Sequence, residues 1–94
     1  DAIIDYLLQI VNCTRNSDKL LLGISPRGTI YLSRAAQALA FIENRDYCIP
    51  DDIKRLVKPV FSHRLIPRDQ PRHGLSKITD TILEEIMGQV PVPL

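Results

Sequence analysis

Apolar positions recur at helical spacing in four separate stretches of the chain. Ile3, Ile4, Leu7, Leu8 and Val11 step by three and four, which puts them on one face of a first helix. That helix is expected to end near Asn16, because Arg15 suits the negative end of the helix dipole and Asn16-Ser17-Asp18 offers turn chemistry. Lys19 to Ile24 is a short apolar stretch carrying Gly23. No strand of comparable length is available to pair with it, so it reads as a buried loop. Ser25-Pro26 marks a second helix start, with a hydroxyl to cap a free N–H and a proline where no donor is needed. This helix should run from Pro26 to about Glu43 with a stripe of Leu32, Ala35, Ala36, Leu39 and Ile42, and Asn44 is a suitable left-handed terminator.

A third start lies at Ile49-Pro50-Asp51-Asp52, ahead of the apolar set Ile53, Leu56, Val57 and Val60. Pro59 removes a helical hydrogen bond and should kink or end this helix. Periodicity then stops from His63 to Ser76. Arg64, Pro67, Arg68, Pro71, Arg72, His73 and Gly74 make a basic loop, with room for an extended piece at Arg64 to Ile66. A fourth helix, from about Ile78 to Gln89, presents Ile78, Ile82, Leu83, Ile86 and Val90, with Thr79 or Ser76 as cap; the Pro-containing tail cannot prolong it. The pattern predicts an all-α fold, a compact bundle of four main helices with a short extended segment before the last.

Composition narrows the picture without supplying a function. The chain has 94 residues, enough for one core, with 45% hydrophobic and 24% charged residues. No Trp and few Phe and Tyr leave that core aliphatic. Twelve Lys and Arg against eleven Asp and Glu give a net charge of +1, too balanced to draw nucleic acid or an anionic membrane by a global field. No apolar run approaches the ~20 residues of a membrane span, and the pattern leads one to expect no secretory leader. Cys13 and Cys48 lie far apart among apolar neighbours and read as buried, reduced thiols of an intracellular protein, not as zinc ligands. The chain begins at Asp1, inside a helical pattern and without an initiator Met, so residues 1–94 are expected to be one domain excised from a longer protein.

Sequence motifs for catalysis are missing: there is no GxxxxGK(S/T), GxSxG, HExxH or GxGxxG. His63 and His73 have no spaced carboxylate partner, and Asp51 and Asp52 are adjacent on a helix start, where they read as dipole partners. The isolated chain is therefore expected not to be an enzyme. One segment carries more chemistry than its structure requires: Gly23-Ile24-Ser25-Pro26-Arg27-Gly28. The helix dipole disfavours a cation in the first turn, yet Arg27 stands there beside free backbone N–H groups. A phosphate would suit both the guanidinium fork and the helix end. A surface arginine paired with some acid is the other reading, and spacing alone weighs them equally.

The string GISPRGTIYLSRAAQALAFIENRDYCIPDDIKRLVKPVFSHRL resembles the C-terminal lid of MoxR-type AAA+ ATPases, whose pattern runs G-A-S-P-R-A, an Ala-rich helix, G-R-D-Y-V-x-P-x-D, then H-R-hydrophobic. The likeness extends back to Thr14-Arg15 and forward to the V-P-x-P close at Val90 to Pro93, so it covers almost the whole chain. Ile24 and Gly28 replace alanines of that pattern, Asn44 a glycine and Cys48 a valine. Gly28 in a first turn costs up to ~1 kcal/mol relative to Ala.

The resemblance implies a preceding ATP-binding core domain that holds Mg2+, and a lid whose sensor 2 arginine maps onto Arg27. Its implied role is to contact the γ-phosphate of ATP, stabilise charge in phosphoryl transfer and report nucleotide state through lid movement. Ser25 and Pro26 would be the scaffold that aims it. Ile3 and Tyr6 have two readings, at the border of an adenine pocket or in a core or interface. No metal ligand is expected within the chain. The implied partners are the core domain, neighbouring subunits of a hexameric ring and a client protein, and the implied parent is cytoplasmic and chaperone-like. Two alternatives stand beside this: a nucleic-acid-binding module using Arg64, Arg68, Arg72 and Lys77, and a passive protein adaptor.

Overall fold

A computed structural model describes residues 1–68 and 74–93. Helix α1 spans Ala2–Arg15, α2 Pro26–Ile42, α3 Pro50–Phe61 and α4 Leu75–Gln89, so the four-helix expectation holds. Strands β1, Leu20–Leu22, and β2, Ile66–Pro67, pair antiparallel between them, and a 3-10 turn at Ser62–Arg64 follows α3. Helix α1 packs against all three other helices, and α2 lies along α3.

The core is aliphatic with two aromatic side chains, Tyr6 and Phe61. On α1 the buried face is Tyr6, Leu7, Ile10, Val11 and Thr14, while Ile4 and Leu8 of the expected stripe are exposed. The i, i+3, i+4 pattern fits either of two neighbouring faces, and packing selected the one that includes Tyr6. On α2 the buried line is Leu32, Ala36 and Ala40, four residues apart; Ile42, expected inside, is 74% exposed. Two residues beyond Ala40 is a rotation of about 200°, which carries Ile42 to the opposite side. Small alanines let α3 approach this line, where Ile53 and Val57 are fully buried and Leu56 and Val60 partly so.

Two further expectations are corrected. Lys19 to Ile24 is not a wholly buried loop: Leu20–Leu22 is a strand, Leu20 is buried, and Leu21 and Leu22 are more than half exposed. Its two-residue partner is too short and too proline-rich to register as a strand in the sequence, which predicts only an extended piece nearby. Leu20 faces Pro67 and Leu22 faces Ile66, and Arg68 extends the pairing by donating its N–H to the Lys19 carbonyl at 2.9 Å. Neither Thr79 nor Ser76 caps α4. The cap is Gly74, in the left-handed region at φ 80, and Thr79 is buried, with its hydroxyl 2.9 Å from that of Ser62. Pro59 stands in the last turn of α3, which ends two residues past it and passes into the 3-10 turn. Asn44 does adopt the left-handed conformation, φ 62.

Candidate functional site

The start of α2 is aimed by a clamp on the end of α1. Gly23 passes so close that a Cβ there would lie 2.7 Å from the Cα and N of Arg15 and 2.8 Å from the carbonyl carbon of Thr14. No side chain fits against that backbone. The next residue is then fixed by both its backbone groups. The N–H of Ile24 donates to the Thr14 hydroxyl at 3.0 Å, that hydroxyl donates to the Val11 carbonyl at 2.6 Å, and Arg15 Nε donates to the Ile24 carbonyl at 2.8 Å. Ser25 caps α2 by accepting the Gly28 N–H at 3.2 Å, and Pro26 occupies the first helical position. Arg27, the second helical residue, projects from this rigid corner into solvent.

Beside it lies a cleft of about 630 Å³ whose walls include Arg15, Arg27 and Arg64 together with Leu22, Ser25 and Tyr31; none of its lining residues is acidic. Among the described residues Arg27 makes no hydrogen bond and no ion pair. Among the described residues, then, no acid partner makes it an ordinary surface arginine. Arg64 sits 4.8 Å over the Tyr31 ring and donates through Nη1 to the Val60 carbonyl at 2.7 Å. Gly28 is buried beneath it. A Cβ at that position would stand 3.1 Å from Ile24 Cγ2 and 3.3 Å from Arg64 Cδ, so a glycine that weakens the helix makes room for both. Three guanidinium groups and a helix N-terminus with no carboxylate between them form an environment for a polyanion.

A second cavity of about 660 Å³ lies at the other end of α2, bounded by Ile3, Ile4, Phe41, Tyr47 and the Arg45 loop. The chemistry there is structural. Arg45 grips Asp52 with both terminal nitrogens, at 2.8 and 2.7 Å, and also reaches Glu43 and the Tyr47 carbonyl. Asp52 is fully buried and takes the Ile49 N–H at 2.9 Å. The Arg45 hydrogen bonds hold its carboxyl below the usual carboxylate range against the effect of burial, and the Ile49 N–H helps. Arg55 and, after it, Arg45 hold the Glu43 carboxyl down in the same way. Asp52 is thus the anchor of the α2–α3 loop, more than the dipole partner expected. Only Asp51 keeps that simpler place.

The other sequence candidates disperse. Tyr6 is a core residue, 1% exposed; its hydroxyl finds no hydrogen-bond partner among the described residues, and burial pushes the phenol up. Ile3 lines the second cavity, away from Arg27. Cys13 and Cys48 are free thiols, half-buried, not fully so, with burial raising Cys48. Of the basic stretch, Arg64 is turned to the cleft, Arg68 Nε binds the Asp18 carbonyl at 2.7 Å, and Arg72, like His73, lies outside the described residues. Among the described residues no three His, Cys, Asp or Glu side chains gather as a metal site, and no helix is long and apolar enough to cross a membrane. The sequence does not single out Arg15 as a site residue, and it offers Arg64 only within the nucleic-acid-binding alternative. Arg15 reads as a helix end and Arg64 as part of a loop, and only tertiary packing brings them to Arg27.

Residues 13–86 match the AAA lid domain family. The whole chain is 41% identical to the uncharacterized protein YeaC of Bacillus subtilis, of which it covers 29%. Over 69% of its length it is 34% identical to the chaperone MoxR1 of Mycobacterium tuberculosis, covering 20% of that protein. A crystal structure of a proposed ATPase from Cytophaga hutchinsonii superposes on all of it with a TM-score of 0.83 at 30% identity, and the chain accounts for 31% of that structure. It therefore spans less than a third of each of these proteins.

Proposed function

The chain belongs to the AAA lid domain family, as the lid of a MoxR-like ATPase, and from that premise we propose that Arg27 is the sensor 2 arginine of a larger ATP hydrolase. The observation that carries this reading is an arginine fixed at the positive end of α2, in a cleft with two more arginines, with no acid partner among the described residues. The cleft's donors fit a triphosphate: planar forks for paired oxygens, and a helix end for the remaining charge. ATP, with Mg2+ held by the preceding core domain, supplies the transferable γ-phosphoryl group.

Ser25 and Pro26 hold the first turn, so the backbone of Arg27 is in place before a phosphate arrives. Its guanidinium donates to γ-phosphate oxygens and stabilises the charge that grows on them during transfer. When that phosphate leaves, Arg27 loses its partner and the lid loses a tether to the core domain. The Thr14, Arg15 and Gly23 contacts transmit the resulting movement to α1 as a rigid unit. The parent is accordingly a cytoplasmic, ring-forming, chaperone-like ATPase acting on a client protein, and the lid alone does not hydrolyse ATP.

Titration of the isotope-labelled chain with MgATP, followed by NMR, tests the location of the site. The reading expects millimolar binding with amide shifts centred on Ser25 to Thr29. Tight binding by the lid alone, or shifts confined to the Phe41–Tyr47 end, would contradict it.

A further inference from the structure

Arg64 stands in the cleft for reasons the sensor role of Arg27 does not explain. It follows α3, far from Arg27 in sequence, and three separate features arrange it. The ring of Tyr31 lies under its guanidinium at 4.8 Å, the Val60 carbonyl takes one Nη1 hydrogen at 2.7 Å, and Gly28 leaves space for its Cδ. Tyr31 and Gly28 are on α2, whereas Val60 is on α3, so the two helices together hold this side chain.

A guanidinium offers five N–H donors in one plane. Val60 uses one of these donors, and among the described residues no other hydrogen-bond partner of the Arg64 side chain is present, although Tyr31 lies against it. Among the described residues no carboxylate pairs with Arg64, and none lines the cleft. A purely structural arginine gains most from an acid; one that lines a cleft with Arg15 and Arg27 and keeps donors unused has the uncompensated charge and the donor capacity for a phosphate. Stacking also limits its rotamers in advance, which lowers the entropy lost when the anion arrives.

We propose that Arg64 is a second phosphate-binding side chain of this lid, held ready by Tyr31, and that it grips the polyphosphate of a nucleoside triphosphate together with Arg27. This rests on the assignment of the cleft to ATP. Tyr31 acts through Arg64 as a positioning residue.

The test uses the full-length ATPase and measures MgATP and MgADP affinity for Arg64→Ala, Arg64→Lys, Tyr31→Phe, Tyr31→Leu and Arg27→Ala. Losing a charge-assisted contact should weaken MgATP binding by Arg64→Ala roughly tenfold. The Arg64→Lys protein should recover part of that loss, since it keeps the charge without the fork. Tyr31→Phe should match the parent, and Tyr31→Leu should weaken binding in the same direction as Arg64→Ala. Arg64 is exposed, so the thermal midpoints of its variants should stay near the parent's. If Arg27→Ala weakens MgATP binding while Arg64→Ala binds both nucleotides like the parent, Arg64 is only a staple between α2 and α3 and the proposal falls. If Arg27→Ala also leaves both affinities unchanged, the assignment of the cleft itself has failed. Arg64→Ala binding that weakens only in step with a fallen thermal midpoint would equally overturn the proposal.

Discussion

The backbone N–H of Ile24 donates to the hydroxyl of Thr14 at 3.0 Å, joining the residue before the α2 cap to the last turn of α1. Thr14 is fully buried and its hydroxyl in turn donates a hydrogen bond to the Val11 carbonyl at 2.6 Å, so one hydroxyl serves two backbone groups. Thr14→Val keeps the shape and removes the acceptor, leaving a buried N–H unpaired. The expected cost is about 1–3 kcal/mol in urea denaturation, with Thr14→Ser closer to the parent. Equal stability of the Val and parent proteins would show that the contact holds nothing.

Two glycines should respond in opposite directions to the same change. At Gly23 a Cβ would collide with the backbone of Arg15, so Gly23→Ala must push β1 or α1 aside and should destabilise by about 1–3 kcal/mol or more. Gly88 lies inside α4 with nothing within 4 Å of a Cβ, and Gly88→Ala should stabilise by up to about 1 kcal/mol. Thermal melts of the pair against the parent separate steric from conformational effects, and a Gly23→Ala protein as stable as the parent would disprove the close approach.

The Arg45–Asp52 pair makes a pH prediction. Its folded-state carboxyl is held below the ordinary range, so it contributes stability that is complete above that range and is lost as pH falls through it. Urea midpoints should be level above about pH 5 and decline below about pH 4, and Asp52→Asn should flatten that decline. Arg45→Ala at neutral pH strands a buried carboxylate and should cost about 3–5 kcal/mol. The neighbouring Glu43–Arg55 pair is exposed, and Arg55→Ala should cost well under 1 kcal/mol, as surface pairs do.

Much of this molecule could be read before it was seen. Ser25-Pro26 and Ile49-Pro50 announced helix starts because capping and proline chemistry are local, and Asn44 announced a turn for the same reason. Arg27 stood out because a cation in a first helical turn opposes the dipole. What escaped were properties that depend on distant chain. Leu20–Leu22 became a strand only because Ile66–Pro67 came to lie beside it. Asp52 looked like a dipole partner until Arg45 was found wrapped around it. The same limit hid how Arg64 is held, because its neighbours Tyr31 and Gly28 belong to a helix more than thirty residues earlier. Gly28, which looked like a defect in the helix, is explained by the two side chains packed against it.

The central claim is that Arg27 touches the transferred phosphate, and single-turnover ATP hydrolysis by the full-length protein carrying Arg27→Ala tests it most directly. Loss of a contact made to charge developing in the transition state should slow the chemical step by about a hundredfold or more, with far-UV spectrum and thermal midpoint unchanged. Arg27→Lys should recover only a small part. A correctly folded and assembled Arg27→Ala protein that hydrolyses ATP at the parent's single-turnover rate would remove Arg27 from the site and contradict the account.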